Sequence, residues 1–230
     1  MILNGALDLL FPPHCVACGA LGTWLCEGCT AAIVRQPSPS CVHCGRLSNS
    51  ARCRRCQDIP TRLASVNSYG VYRQPLRKAI YDLKYGGMQV LAEPLAELLA
   101  NAWVATGYTC DIIMPVPLYK ARERQRGYNQ SALLGRALSR SLGVPCSCDC
   151  LERARNTPPQ VGLSRSERHA NMADAFRCRH TLVGKRVLLV DDVCTTAATL
   201  EACAAALQAA GAGELRGLTL ARALVRTHTQ

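Results

Sequence analysis

The sequence predicts an α/β protein: a doubly wound parallel sheet preceded by a small cysteine-rich domain. From about residue 61 onward, short apolar runs such as Ile112-Ile113-Met114 and Val187-Leu188-Leu189-Val190 alternate with helical patterns. Runs that are apolar at every position suit parallel strands buried on both faces. Strands alternating with helices imply crossover connections, and so a doubly wound sheet. Before residue 60 the pattern differs: eight cysteines fall in four Cys-x-x-Cys pairs, with little else able to build a core. The change in composition at Asp58-Ile59-Pro60 divides the chain into domains 1–60 and 61–230.

In chain order, residues 1–12 place Ile2, Leu3, Leu7, Leu10 and Phe11 at helical spacing, which predicts a short helix laying its apolar face on the protein. Residues 63–73 read as a hairpin. Residues 75–86 read as a helix with Leu76, Ile80 and Leu83 on one face, and 90–105 as an Ala/Leu-rich helix. A buried strand over 111–117 is stopped by Pro115 and Pro117. A helix over 129–142 ends at Gly143, and a strand is expected near 144–151. The strand at 187–190, an Ala-rich helix over 197–210 closed by Gly211, and a last strand over 215–220 complete the pattern.

The 230 residues are 49% hydrophobic and 19% charged, which excludes a disordered chain or a coiled coil. No membrane span is predicted: the uncharged stretch Leu9 to Cys26 is broken by Pro12-Pro13, His14, glycines and cysteines. The first basic residue is Arg35, so a positive signal-peptide region is missing and the expected location is cytoplasmic. The net charge is +11, and only 5 of 27 basic and 3 of 16 acidic residues precede residue 61. The basic character belongs to the second domain, where it favours phosphate-bearing partners.

The cysteine pairs are Cys15/Cys18, Cys26/Cys29, Cys41/Cys44 and Cys53/Cys56, separated by 7, 11 and 8 residues. Each tight turn aims two thiolates at one tetrahedral ion. Two short gaps around a longer one favour sequential sites for two structural Zn²⁺ ions; interleaved pairing, or iron, is left open by spacing and ligand type. His14 and His43 adjoin the cysteines as bystanders. Cys146, Cys148 and Cys150 alternate in the expected strand and read as small buried hydrophobes on one face. Cys194 has no evident neighbouring base to make it a nucleophile.

The strongest chemical signal runs from Val187 to Leu200. A buried strand ends in Asp191 and Asp192, the candidate catalytic groups. A hydroxyl-rich turn and a helix follow, through Thr195, Thr196, Ala197, Ala198 and Thr199. Carboxylates at the carboxyl end of such a strand suit ribose hydroxyls or Mg²⁺. Backbone amides at the turn and the helix N-terminus suit a phosphate. A response-regulator receiver domain is excluded, because only 38 residues follow Asp192.

This segment resembles the phosphoribosyl-pyrophosphate (PRPP) motif of type I phosphoribosyltransferases, and the cysteine module narrows the resemblance to the ComF/GntX family. "LDLLFPPHC" with the four cysteine pairs resembles the family's N-terminal double zinc ribbon. "YDLKYGG", "IMPVPLYKARERQRGYNQSALL" and "LERARNTPPQVGLSRSERHANMADAF" resemble its further motifs. The resemblance covers essentially the whole chain. It implies a type I phosphoribosyltransferase-like (Rossmann-like) sheet that binds PRPP or a related ribose phosphate with Mg²⁺. It also implies a cytoplasmic role in handling internalised single-stranded DNA, with other DNA-uptake proteins as partners. The alternative it carries is an active Mg²⁺-dependent transferase of phosphoribosyl groups to a nitrogen acceptor. Candidate contacts to pyrophosphate or a DNA backbone are Arg122, Arg124, Arg126, Tyr128, Asn129, Arg153, Arg155 and Arg168, the last three on a mobile loop. Tyr119 or Tyr128 offers a face to a base. One position departs from the family pattern: Ala197 stands where the family's loop has glycine. If that residue needs a positive φ, alanine costs about 1 kcal/mol there.

Overall fold

A computed structural model describes residues 12–36, 39–43, 45–57, 61–154 and 175–223. Its centre is a four-stranded, all-parallel sheet. In chain order the strands are β1 (Ser65–Val71), β2 (Ile112–Pro115), β5 (Val187–Cys194) and β6 (Leu215–Arg222). They lie in the spatial order β1-β6-β5-β2, with Ser65 opposite Arg216, Val187 opposite Leu215, and Ile112 opposite Val187. A separate antiparallel ribbon joins β3 (Leu151–Arg153) to β4 (Phe176–Cys178), with Leu151 opposite Cys178.

Both faces of the sheet are covered, and the alternation of β5 shows how. Leu188 and Val190 pack with Ile80, Leu83, Leu95, Leu99, Leu134 and Leu138. These come from α3 (Leu76–Tyr85), α4 (Ala92–Val104) and α6 (Gln130–Leu142). Val187 and Leu189 pack the opposite way, against Leu200, Cys203, Ala204 and Leu207 of α7 (Ala198–Ala209) and against Leu151 and Phe176 of the ribbon. Asn129 caps α6, its Oδ1 accepting the amides of Ser131 (2.9 Å) and Ala132 (3.4 Å); Gly143 ends the helix with φ +66°.

Three expectations need correction. Residues 63–73 form no hairpin but the single strand β1. Its middle is committed to β6 by a 2.7 Å contact between the Ser68 and Thr219 hydroxyls, which leaves no turn at Asn67-Ser68. The strand expected near 144–151 is reduced to one bridge, Ile113 to Cys146. A bend follows at which the Ser147 hydroxyl donates to Asp149, and β3 begins only at Leu151. The three cysteines therefore share no face: Cys146 lies 3.8 Å from Cys148, whereas Cys150 lies 3.2 Å from Cys178. Finally, β5 does not stop at the acidic pair. β6 runs beside it as far as Cys194, opposite Arg222, and keeps it extended. The short helix α5 (Lys120–Arg126) was not predicted; Gly127 ends it at φ +84°. The helix expected over residues 1–12 falls almost wholly outside the described residues.

Candidate functional site

In the cysteine module, helices α1 (Glu27–Ala31) and α2 (Arg54–Gln57) each carry part of a thiol cluster. The sulfurs of Cys15, Cys18, Cys26 and Cys29 lie within 4.8 Å of one another, as do those of Cys41, Cys53 and Cys56. Cys44 lies outside the described residues. The pairs thus meet sequentially, first with second and third with fourth. The first cluster fits Zn²⁺ on its own geometry. Cys18 and Cys26 sulfurs are 3.6 Å apart, near the edge of a tetrahedron about an ion with ~2.3 Å bonds to sulfur. Backbone amides of Cys26 and Cys29 donate to the sulfurs of Cys15 and Cys26, each at 3.4 Å. Burial opposes ionisation of Cys15, but the amide of Cys26 and other donors outweigh it and hold its pKa down to about 6. Burial and the neighbouring thiols push Cys29 up. Four thiols this close cannot all ionise without a cation between them, and a bound zinc supplies that charge.

His43 is more than a bystander. It is buried, and its Nε2 lies 3.2 Å from Glu201 Oε1 on α7. Glu201 Oε2 also accepts the amide of Arg62 at 3.1 Å. Burial lowers the His43 pKa, partly offset by the Glu201 charge. Gly45 of the same knuckle packs on a second strut: a Cβ there would lie 3.2 Å from Arg222 Nη1. Arg222, itself buried, donates to the carbonyl of Thr195 (3.0 Å) and contacts the sulfur of Cys194 (3.1 Å). Two struts therefore run from the second knuckle to the Thr-rich loop and the helix behind it.

That loop joins β5 to α7 through Thr195, Thr196 and Ala197. Thr195 and Thr196 are exposed, and Thr196 Oγ1 accepts the Ala198 amide at 3.4 Å. Ala198 and Thr199, both half-buried, open the twelve-residue helix α7. Ala197 has φ +63°, the one positive φ outside glycine among the described residues. The position does require the left-handed conformation, so the strain expected for alanine, about 1 kcal/mol, applies.

The acidic pair lies on β5, separated from this loop by Val193 and Cys194. Asp192 is 3% exposed; its Oδ1 is 2.7 Å from Lys84 Nζ at the end of α3, and its Oδ2 is buried without a partner. Asp191 Oδ1 accepts from the Ser131 hydroxyl (2.8 Å) and from the Asp192 amide (3.0 Å). Burial and then the Asp192 charge raise the Asp191 pKa to about 7. Lys84 is disfavoured by desolvation, but both aspartates outweigh that and raise its pKa. One lysine faces two carboxylates, and an orphan buried oxygen remains. These hard oxygen donors suit a divalent ion such as Mg²⁺.

The basic candidates divide. Arg122 and Arg124 are exposed on α5. Arg153 is brought to the same region: burial and then the Arg122 charge lower its pKa, with Asp191 acting the other way. Arg126 donates to Gln130 Oε1 and lies over the Tyr85 ring, 4.9 Å from its centroid. Tyr128 donates its hydroxyl to the carbonyl of Leu83 at 2.6 Å, and Asn129 Nδ2 donates to that of Val116 at 3.1 Å. The polar atoms of these two side chains hold the α5–α6 turn against the sheet and α3. Arg155 and Arg168 lie outside the described residues. Sequence reasoning missed Lys84, Ser131, Arg222 and Glu201 as parts of the site. Lys84 and Ser131 carried a signal, in the quoted YDLKYGG and IMPVPLYKARERQRGYNQSALL segments.

A parallel sheet whose acidic strand end leads into a phosphate-type loop, joined to two clusters of cysteine sulfurs, defines a phosphoribosyltransferase-fold protein with a double zinc ribbon. The sequence matches the Phosphoribosyl transferase domain family over residues 129–228 and the Double zinc ribbon domain family over 6–59. It is 33% identical over 227 residues to the DNA utilization protein YhgH of Escherichia coli K12, covering 94% of this chain and 100% of that one. It is 35% identical over 209 residues to competence protein F of Haemophilus influenzae, covering 86% and 90%. Competence protein ComFC of Streptococcus pneumoniae is 26% identical over 200 residues, covering 86% and 87%. The chain belongs to the ComF family of competence and DNA-utilisation proteins.

Proposed function

We propose that this protein binds PRPP or a related ribose phosphate and acts in the cytoplasm on internalised single-stranded DNA. The observation that carries the reading is the juxtaposition at the end of β5. A partly neutralised acidic pair near the end of β5 is followed, after Val193 and Cys194, by a Thr-rich loop and a helix N-terminus, and a basic helix, α5, stands near it. In this reading Asp191 and Asp192 hold the ribose hydroxyls and a Mg²⁺ ion, and the loop from Thr195 to Thr199 takes the 5′-phosphate. Arg122, Arg124, Arg126 and Arg153 attract pyrophosphate or the DNA backbone, while Tyr128 and Asn129 fix the turn that presents them. Mg²⁺, when bound, would neutralise pyrophosphate charge. Lys84 places a positive charge against Asp192. The role in DNA handling is supported by relatives named for DNA utilisation and competence. Domains meeting near residue 60 and other DNA-uptake proteins as partners belong to the same proposal. No helix among the described residues is long and apolar enough to cross a membrane. Turnover of PRPP onto a nitrogen acceptor is the second reading, and it would need an acceptor pocket as well.

Calorimetric titration of the zinc-loaded protein with PRPP and Mg²⁺ tests the site. Micromolar binding that an Asp191→Asn/Asp192→Asn variant loses is the expected result. Absence of binding by the unaltered protein would remove the ribose-phosphate reading.

A further inference from the structure

Helix α3 carries two tyrosines one turn apart, Tyr81 and Tyr85, 54% and 65% exposed, with ring centroids 5.1 Å apart. The chain has seven tyrosines, and the others are differently placed. Tyr69 is buried, Tyr128 spends its hydroxyl on Leu83, and Tyr108 is covered by the Arg216 guanidinium at 3.4 Å. Tyr72 and Tyr119 are half-buried. A ring pair at i,i+4 stabilises a helix slightly. That does not explain why both rings stay in water, or why a guanidinium is fixed beside one of them.

The location adds meaning. Tyr85 follows Lys84, whose ammonium is 2.7 Å from Asp192, so the ring pair begins at the rim of the acidic site. Arg126, held by Gln130, bridges from the end of α5 to the Tyr85 ring. The rest of α5 presents Lys120, Arg122 and Arg124 to solvent against Glu123 alone. An aromatic surface and a cationic surface are thus joined through one arginine.

We infer that Tyr81 and Tyr85, with Arg126 behind Tyr85, form a stacking platform for a base of a single-stranded nucleic acid whose phosphates lie along α5. The inference rests on the single-strand reading above and names its contact surface. Stacked rings beside a basic track are the general means of holding a single strand without reading its sequence. Duplex DNA does not suit the surface, because its base faces are already stacked. A small free base does not suit it either, because an open platform leaves one face of the base wet and a small ligand depends on enclosure. A strand is anchored by its phosphates and needs no enclosure.

The test is fluorescence anisotropy with labelled oligo(dT) and an abasic strand of equal length, using the zinc-loaded full chain and its Tyr81→Ala/Tyr85→Ala and Tyr85→Phe variants. Both tyrosines are exposed, so the variants are expected to fold, and an unchanged PRPP titration checks this. The double alanine variant should bind oligo(dT) about five- to a hundredfold more weakly, yet bind the abasic strand as the unaltered protein does with the same salt dependence. Tyr85→Phe should retain binding. Equal losses on both strands, or no loss on oligo(dT), would overturn the platform. Binding of duplex in preference to single strands by the unaltered protein would also overturn it. If the unaltered protein binds neither strand, the single-strand reading itself fails and this inference fails with it.

Discussion

The contact between His43 and Glu201 makes the second zinc knuckle a support for the phosphate loop, and Glu201→Ala measures that support. Glu201 is 8% exposed; its Oε1 lies 3.2 Å from His43 Nε2, and its Oε2 accepts the Arg62 amide at 3.1 Å. Alanine removes the carboxylate packed against the buried His43 ring and leaves a gap there, which costs about 1–3 kcal/mol. The Arg62 amide belongs to an exposed residue and can turn to water, so its loss adds about 0.5–1 kcal/mol. Removing an acid from the first turn of α7 costs about 0.3–1 kcal/mol through the helix dipole, while alanine returns a few tenths in helix propensity, about 0.3 kcal/mol. The sum is about 2–4 kcal/mol, or roughly 5–12 °C in Tm for a chain of this size. Glu201→Gln should lose less, about 1 kcal/mol, because it keeps one acceptor. The assay is thermal and urea unfolding of zinc-loaded protein, extended to a double-mutant cycle with His43→Ala. A coupling of about 1 kcal/mol or more is expected, and it should vanish once zinc is chelated. If Glu201→Ala changes stability by less than about 0.5 kcal/mol, or the cycle is additive, the knuckle does not brace α7 and the argument fails.

Three further outcomes follow from the site. Burial and the neighbouring carboxylate raise the Asp191 pKa to about 7, above its unfolded value, so the folded state holds the proton more tightly. Stability from this group is present below the unfolded carboxylate range and is lost as pH rises toward 7. Asp191→Asn should therefore raise Tm at pH 8 by the equivalent of about 1–3 kcal/mol and change it little at pH 4, as calorimetry across that range will show. Ala197→Gly relieves about 1–2 kcal/mol of left-handed strain but loses a buried methyl worth about 0.8 kcal/mol and gains unfolded-chain entropy of about 0.4–1 kcal/mol. Stability should thus stay within about 1 kcal/mol, and a loss of 3 kcal/mol would mean that the methyl does more than fill space. His43→Ala should leave two zinc ions per chain in a chromogenic release assay, since that ring faces Glu201; one ion per chain would make His43 a ligand.

The legible part of the fold was the part governed by burial and local signals. Val187 to Val190 read as a strand because every position is apolar, and the structure buries them in alternation on two opposed cores. Asn129 and Gly143 marked the ends of α6 because capping is local chemistry. What failed depended on distant partners. Residues 63–73 have the propensity of a hairpin, and only β6, some 150 residues away, makes them a single parallel strand. Nothing around residues 144–151 announces that Ile113 offers one bridge and no ladder. In the site, the acidic pair and the thiol pairs were legible because their chemistry requires adjacent residues. The supports were not. A lysine on α3, a serine on α6 and an arginine on the last strand reach the acidic pair or its loop only after the sheet has formed, and nothing in their own segments names that contact. The same holds for the zinc module. Spacing favoured the sequential pairing of its ligands and left the interleaved one open, but its docking through His43 and Gly45 left no trace in the sequence. That docking gives the module a consequence beyond its own fold: Arg222 and Glu201 link the second knuckle to Thr195 and to the first turn of α7. Ala197, the strained residue, lies between those two points. A loop that holds alanine at positive φ needs neighbours that over-determine it, and the cysteine module backs two of them, Arg222 and Glu201.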